Sequence, residues 1–442
     1  MQQLSTDIDE DRQPPLSIPF AHFVVGVVVL VVGGAVAGLG SFVSGIDPAG
    51  AGSLHLLLAG WVGLTIMGAM TQFVPVWSGT ALHSRRLSVA SLWLVSLGLA
   101  GLVSGFFTRT YTWLPLGGAV LLVGFWTFAY NIARTLPGLR NLDITEAHFA
   151  FALGSLIAGT GLGTLLAADY GFRVLGGAIV PSRLLLAHLT LTVFGFVLAT
   201  IVGALYQLAP MFTQSEKTGV DTELAHVEMV ALPVGIPLLA AGRLFGSDPV
   251  ATFGGVSLLL GTLAFTAFFS RQLWFARVEV SPLLRRYGLV ALSLFGWVLV
   301  TIPYWLADPL TFFGRFGSPA ATHLLFVGVV MLTILGTFYH VVPFIVWYHR
   351  YSDRLGYESV PMVDDLYDDR LAKIEFWLLA VGLGSLWLGD LLAAPTWVIV
   401  VGGNLLGAGV LLFGVNMTGV VWRHRPETFR EVLAMLTGRS PT

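Results

Sequence analysis

Thr65-Ile66-Met67-Gly68-Ala69-Met70-Thr71-Gln72-Phe73-Val74-Pro75 has two counterparts further along the chain. Thr200-Ile201-Val202-Gly203 is followed by Gln207 and Pro210, and Thr333-Ile334-Leu335-Gly336 by His340 and Pro343. The shared pattern is T-I-x-G-x-x-x-[QH]-x-x-P. Its glycines lie 135 and 133 residues apart, so about three such periods fill the 442 residues. Each copy sits inside a long apolar run. On a helix, positions i, i+3, i+7 and i+10 lie along one face. A packing face explains most of the pattern, because glycine lets backbones approach and proline kinks the helix. Gln72, Gln207 and His340 fall deeper, where an unpaired amide or imidazole is costly, so hydrogen bonds across the bundle are expected for them. A weaker echo comes one apolar run earlier, with Ala21-His22-Phe23 and Ala147-His148-Phe149.

Composition widens this reading to the whole chain. Hydrophobic types make up 55% and charged types 11%, where soluble domains average about 25% charged. So little charge excludes an ordinary soluble enzyme. A net charge of -2 with no basic stripe excludes nucleic acid as a main partner. The lack of cysteine removes disulfides, thiolate metal sites and cysteine nucleophiles. No phosphate-binding loop, metalloprotease motif or hydrolase nucleophile elbow is present.

A bilayer core of about 30 Å needs about 20 apolar helical residues. Twelve such stretches can be read, at roughly 20–44, 53–78, 88–107, 112–134, 145–168, 183–212, 225–244, 249–273, 286–306, 320–348, 370–390 and 395–421. The predicted fold is all-α: a polytopic membrane helix bundle of about 12 transmembrane helices in three four-helix repeats, about 19–144, 145–284 and 285–421. These form a single transmembrane domain, 19–421, between tails 1–18 and 422–442. The first run is too long, and too late after the acidic leader Asp7, Asp9, Glu10 and Asp11, for a cleaved signal peptide. A period of three argues against the two six-helix halves of the major facilitator transporters. Of the 23 Lys and Arg residues, 18 fall on the side that carries both termini. The positive-inside rule then predicts a multi-pass protein of the plasma membrane with both termini cytoplasmic.

Ten histidines remain to be placed. His83, His349 and His424 fall in loops or the tail. His55, His188 and His323 open spans 2, 6 and 10 on the outer side. His55 and His323 each stand 20 residues before the repeat proline; His188 stands 22 before Pro210. That offset turns His188 by about 200°, so it should face elsewhere unless its helix is deformed. Two neutral imidazoles can ligate one haem iron from opposite sides, each with its second nitrogen held by a partner. The competing reading leaves each histidine in the headgroup region or bonded to a carbonyl.

Twelve spans in three groups of four, with histidines opening spans 2, 6 and 10, resemble subunit I of the haem–copper oxidases. His55-Leu56-Leu57-Leu58-Ala59-Gly60-Trp61 and Pro343-Phe344-Ile345-Val346-Trp347-Tyr348-His349-Arg350-Tyr351 resemble phrases of its oxidase-like bacterial and archaeal relatives. The likeness covers most of the chain as architecture. It implies one or two b-type haems, with His55 and His323 as ligands of the low-spin iron and His188 as an added ligand of a second haem or metal. It also implies oxidoreductase-type work, in electron transfer or in binding oxygen or nitric oxide. The partners would be membrane lipid and an electron donor or small accessory subunit.

The departures are specific. The family's second histidine on span 10 is Ala321 here. Thr192 stands four residues after His188, where many members have tyrosine, and no His-His pair exists. His226 sits near the wrong end of span 7. The copper and oxygen-reducing centre is therefore expected to be incomplete. Glu228 and Glu375 fall near cytoplasmic ends and Asp390 near an outer end, so no proton path is expected across the middle. The alternative function is a transporter or channel whose histidines are structural, which predicts no cofactor.

Overall fold

The structure is a computed structural model and describes residues 15, 17–40, 50–138 and 140–424. Most of both tails, with the acidic leader, and the side chain of His349 lie outside the described residues. Twelve helices are long and apolar enough to cross a membrane. In order, spans 1 to 12 are Ser17–Gly34, Ala51–Ser78, Arg85–Phe107, Tyr111–Ala133, Ile144–Phe172, Pro181–Thr213, Gly219–Phe245, Asp248–Trp274, Pro282–Ala307, Pro319–Tyr348, Asp369–Leu391 and Thr396–Arg423. No strand occurs among the described residues. Large apolar side chains such as Leu97, Val230, Leu292 and Leu411 point outward, as a helical bundle in lipid requires. Span 7 begins at Gly219, not at 225. The Asp221 carboxylate accepts from the Thr218 backbone N–H and hydroxyl, each at 2.8 Å, and so starts the helix in a polar stretch.

The described chain forms two compact units, one ending at Thr200 and one running from Ile201. In the first, spans 3 and 4 pack through Gly98, Gly105, Gly117 and Gly124. In the second, spans 7 and 8 pack through Gly235, Gly242, Gly254 and Gly261, and spans 11 and 12 through Gly382, Gly389, Gly402 and Gly409. A Cβ at Gly117 would lie 2.5 Å from the Leu102 nitrogen, and one at Gly124 or Gly261 would lie 2.7 Å from the nitrogen of Val95 or Leu232. Within each helix the paired glycines are seven apart, which keeps them on one face. The same packing device therefore occurs three times in helices outside the T-I-x-G motif, though at spacings other than the motif's.

Spans 2, 6 and 10 share a second feature. Each contains a wide π-helical stretch: His55–Val62, Thr190–Leu198 and Leu324–Met331. The T-I-x-G motif follows directly. The hydroxyls of Thr65, Thr200 and Thr333 are buried with no hydrogen-bond partner among the described residues. A helical threonine commonly bonds the carbonyl four residues back. Here those carbonyls, of Trp61, Phe196 and Val329, belong to the widened turns.

The second unit buries charge near its span ends. Arg286 and Glu375 are fully buried and form an ion pair. Tyr339 donates to the same Glu375 oxygen at 2.6 Å, and Asn416 donates to the Tyr339 hydroxyl at 3.3 Å. The guanidinium lies 4.3 Å from the Tyr339 ring centre and donates to the carbonyls of Pro282 and Ala372. Glu228 and Arg243 are likewise fully buried. Ionisable groups thus enter the apolar interior wherever a partner neutralises or solvates them.

Candidate functional site

In the first unit, His55 is the first residue of its π-helical stretch. Its Nδ1 hydrogen-bonds the Ala51 carbonyl at 2.7 Å. Phe106 of span 3 stacks on the ring, with centroids 5.6 Å apart. His188 of span 6 lies just before the next π-helical stretch. Its Nδ1 reaches across to the Gly159 carbonyl of span 5 at 2.7 Å. Span 5 admits that ring because residue 163 is glycine. A Cβ there would lie 2.7 Å from the His188 Cε1 and 2.9 Å from Nδ1. The two imidazoles stack, with ring centroids 6.5 Å apart and planes 17° from parallel. The expectation that His188 faces elsewhere unless its helix is deformed meets its exception, because span 6 carries the π-helical stretch Thr190–Leu198. Its two-residue displacement places it beside His55, while Thr190 holds the repeat position and bonds the Leu186 carbonyl.

In the second unit, His323 immediately precedes the third π-helical stretch. Its Nδ1 hydrogen-bonds the Asp390 carboxylate of span 11 at 2.8 Å. The approach to His323 is rigidly built. Buried Arg243 donates to the carbonyls of Pro309, Gly314 and Arg315, each at 3.1 Å. Trp297 and Trp305 donate to Phe316 and Gly314, each at 2.8 Å. Gly317 has φ +102, and the Thr301 and Trp297 side chains crowd its Cα, so only glycine fits there without strain.

The three histidines share one hydrogen-bonding pattern at Nδ1. Carbonyl oxygens and a carboxylate can only accept, so each Nδ1 carries the proton. In the neutral ring Nε2 then keeps its lone pair, which is the state a metal-ligating imidazole needs. All three are partly accessible, not sealed in packing. Two such imidazoles suit iron whose other four ligands come from a porphyrin.

The remaining candidates behave differently. Gln72 has a buried Oε1 with no partner among the described residues. Gln207 is exposed on the helix surface. His340 packs edge-on against Phe212 at 4.7 Å and stacks on Phe344 at 6.0 Å. The expected hydrogen bonds across the bundle do not form at these three positions. His22 and His148 make the same Nδ1 bond as His55, to the carbonyls of Ile18 and Ile144 four residues back, and differ from it in being buried. His424 hydrogen-bonds the Tyr351 hydroxyl at 2.8 Å. Sequence reading missed Asp390 and Gly163 as parts of the site. Asp390 stands out as an acid in an apolar span at the end where the histidines lie. Gly163, among 52 glycines, carries no mark of its own. No family model matches the chain, and neither does any curated protein.

Proposed function

We propose that this is an integral membrane haem protein on a frame like that of oxidase subunit I, with His55, His188 and His323 as its iron ligands. The observation that carries this reading is the common hydrogen-bonding pattern of the three imidazoles, each with Nδ1 pinned and Nε2 left to bind, at the mouth of a π-helical turn. π-helical turns recur at functional sites because they re-aim side chains against the α-helical period. When bound, b-type haem would supply one-electron transfer or a binding position for oxygen or nitric oxide. The protein's part is to fix ring orientation, through Ala51, Gly159 and Asp390, and to surround the group with apolar helices.

The Lys and Arg distribution supports a plasma-membrane protein with both termini cytoplasmic, fed by an electron donor or accessory subunit. Ala321 and Thr192 stand where a complete copper and oxygen-reducing centre would need further ligands, so copper is not part of the proposal. The test is a reduced-minus-oxidised spectrum of protein purified from haem-replete cells. A b-type band is expected. A colourless protein overturns the reading and favours a transporter or channel.

A further inference from the structure

A groove of about 530 Å³ lies between spans 3 and 4 in the first unit. That volume is within the range of about 300–1,000 Å³ usual for small-molecule sites. On span 3 its lining runs from Leu97 through Gly101 and Ser104 to Thr108, positions that share one helical face. Leu116 and Val120 of span 4 form the facing wall. The floor is low because residues 101 and 117 are both glycine: a Cβ on Gly101 would lie 3.4 Å from the Gly117 Cα.

The groove changes character along its length. Leu97 and Val120 make its deep end apolar. Its lip carries the hydroxyls of Thr108 and Thr110, and beside them Trp113, 62% exposed, of the kind that settles at headgroup level. From Thr108 down to Leu97 is a rise of about 16 Å at 1.5 Å per residue, half of a hydrocarbon core about 30 Å thick. The groove is thus one leaflet deep. A transmembrane helix is about 10–12 Å across and runs through both leaflets, so it would overfill a groove that stops halfway. A single acyl chain matches the depth.

Charge at the lip selects the headgroup. Arg109 stands between the two lip threonines and is exposed. Its guanidinium has no hydrogen-bond or ion-pair partner among the described residues. The whole stretch from 48 to 142 holds no Asp or Glu. Asp169, the acid of span 5 at this end, is buried and already accepts from the Leu175 N–H at 3.0 Å. Arg109 also adopts φ +56 just past the end of span 3, where glycine is the usual residue, so a cation occupies this position at a conformational cost. We propose that the groove between spans 3 and 4 binds one anionic phospholipid, its acyl chain along Gly101 and its phosphate on Arg109.

The test uses the full chain in detergent, titrated with palmitoyl-oleoyl phosphatidylglycerol or with phosphatidylcholine of the same chains, and read by native mass spectrometry. The wild type should hold one phosphatidylglycerol more tightly than phosphatidylcholine. Arg109→Gln should weaken phosphatidylglycerol binding about fivefold, the order expected for one arginine at a membrane surface, and leave phosphatidylcholine unchanged. Arg109→Lys should keep the preference, which a purely structural role for the arginine would not predict. Gly101→Leu fills the floor and should lose both lipids. Leu97→Trp, at a position already exposed, narrows the same groove and supplies the measurement if Gly101→Leu fails to fold. Equal phosphatidylglycerol binding by wild type and Arg109→Gln, or full lipid retention in the groove-filling variants, overturns the proposal. So does a wild-type dimer that the groove-filling variants break, because the occupant is then a second copy of the chain. The presence or absence of haem bears on none of these outcomes.

Discussion

Arg286 and Glu375 show that a charged pair near a span end can be wholly enclosed by protein. Each lies within a few residues of a helix start, so the sequence places both at the membrane boundary. The fold instead closes spans 9, 10, 11 and 12 around them, and both side chains are fully buried. Removing one partner leaves an uncompensated buried charge, which costs on the order of 3–5 kcal/mol. Arg286→Met is therefore expected to lower the thermal unfolding temperature in detergent sharply. The double variant Arg286→Met/Glu375→Leu should recover much of that loss, because no naked charge remains. A double variant as unstable as the single one would show that packing volume, not charge, sets the cost. The same reasoning explains why the neighbours of His188 could not be read from sequence. Helical angle could be counted from Pro210, but the Gly159 carbonyl and the room at Gly163 belong to another helix and leave no trace in local spacing.

Among elements, the glycine hairpins fix the frame. Spans 3 and 4, 7 and 8, and 11 and 12 repeat one device, with glycines seven apart on each facing surface. That pattern is present in the sequence, but at spacings that differ from the T-I-x-G period. It was hidden because glycine is common throughout and the contact involves backbone, not a distinctive side chain. Gly124→Ala and Gly261→Ala should each destabilise by about 1–3 kcal/mol through overpacking. Gly154→Ala has open space around it and should be neutral or stabilising by up to about 1 kcal/mol. Equal effects at all three positions would remove the hairpin argument. At the end of span 12, burial pushes the His424 imidazole below its usual range, and Arg350 and Arg423 add to the effect. The folded state therefore favours the neutral ring. Its stabilising contribution is present above the unfolded value of about 6.5 and is lost as pH falls below it. Acid-dependent loss of thermal stability below that pH should be smaller in His424→Gln than in the wild type.

For the whole molecule, composition and period made the twelve-span all-α frame legible, because apolar length and low charge are properties of the chain as a sum. Orientation depends on which charges face water. Of the five basic residues assigned to the outer loops, Arg243 is fully buried on backbone carbonyls, and burial lowers the Arg315 pKa from its ordinary value. Arg286, counted on the other face, is fully buried as well, so burial trims the count on both sides and sidedness has to be measured. The chain has no cysteine, so single introduced thiols can report sidedness without background. Tyr357, between spans 10 and 11, is 90% exposed, and Thr110, between spans 3 and 4, is also exposed. In intact cells a membrane-impermeant maleimide should label Thr110→Cys at once and Tyr357→Cys only after permeabilisation. The reverse pattern would invert the topology and place the three histidines at the cytoplasmic face, where an electron donor would have to approach from inside the cell.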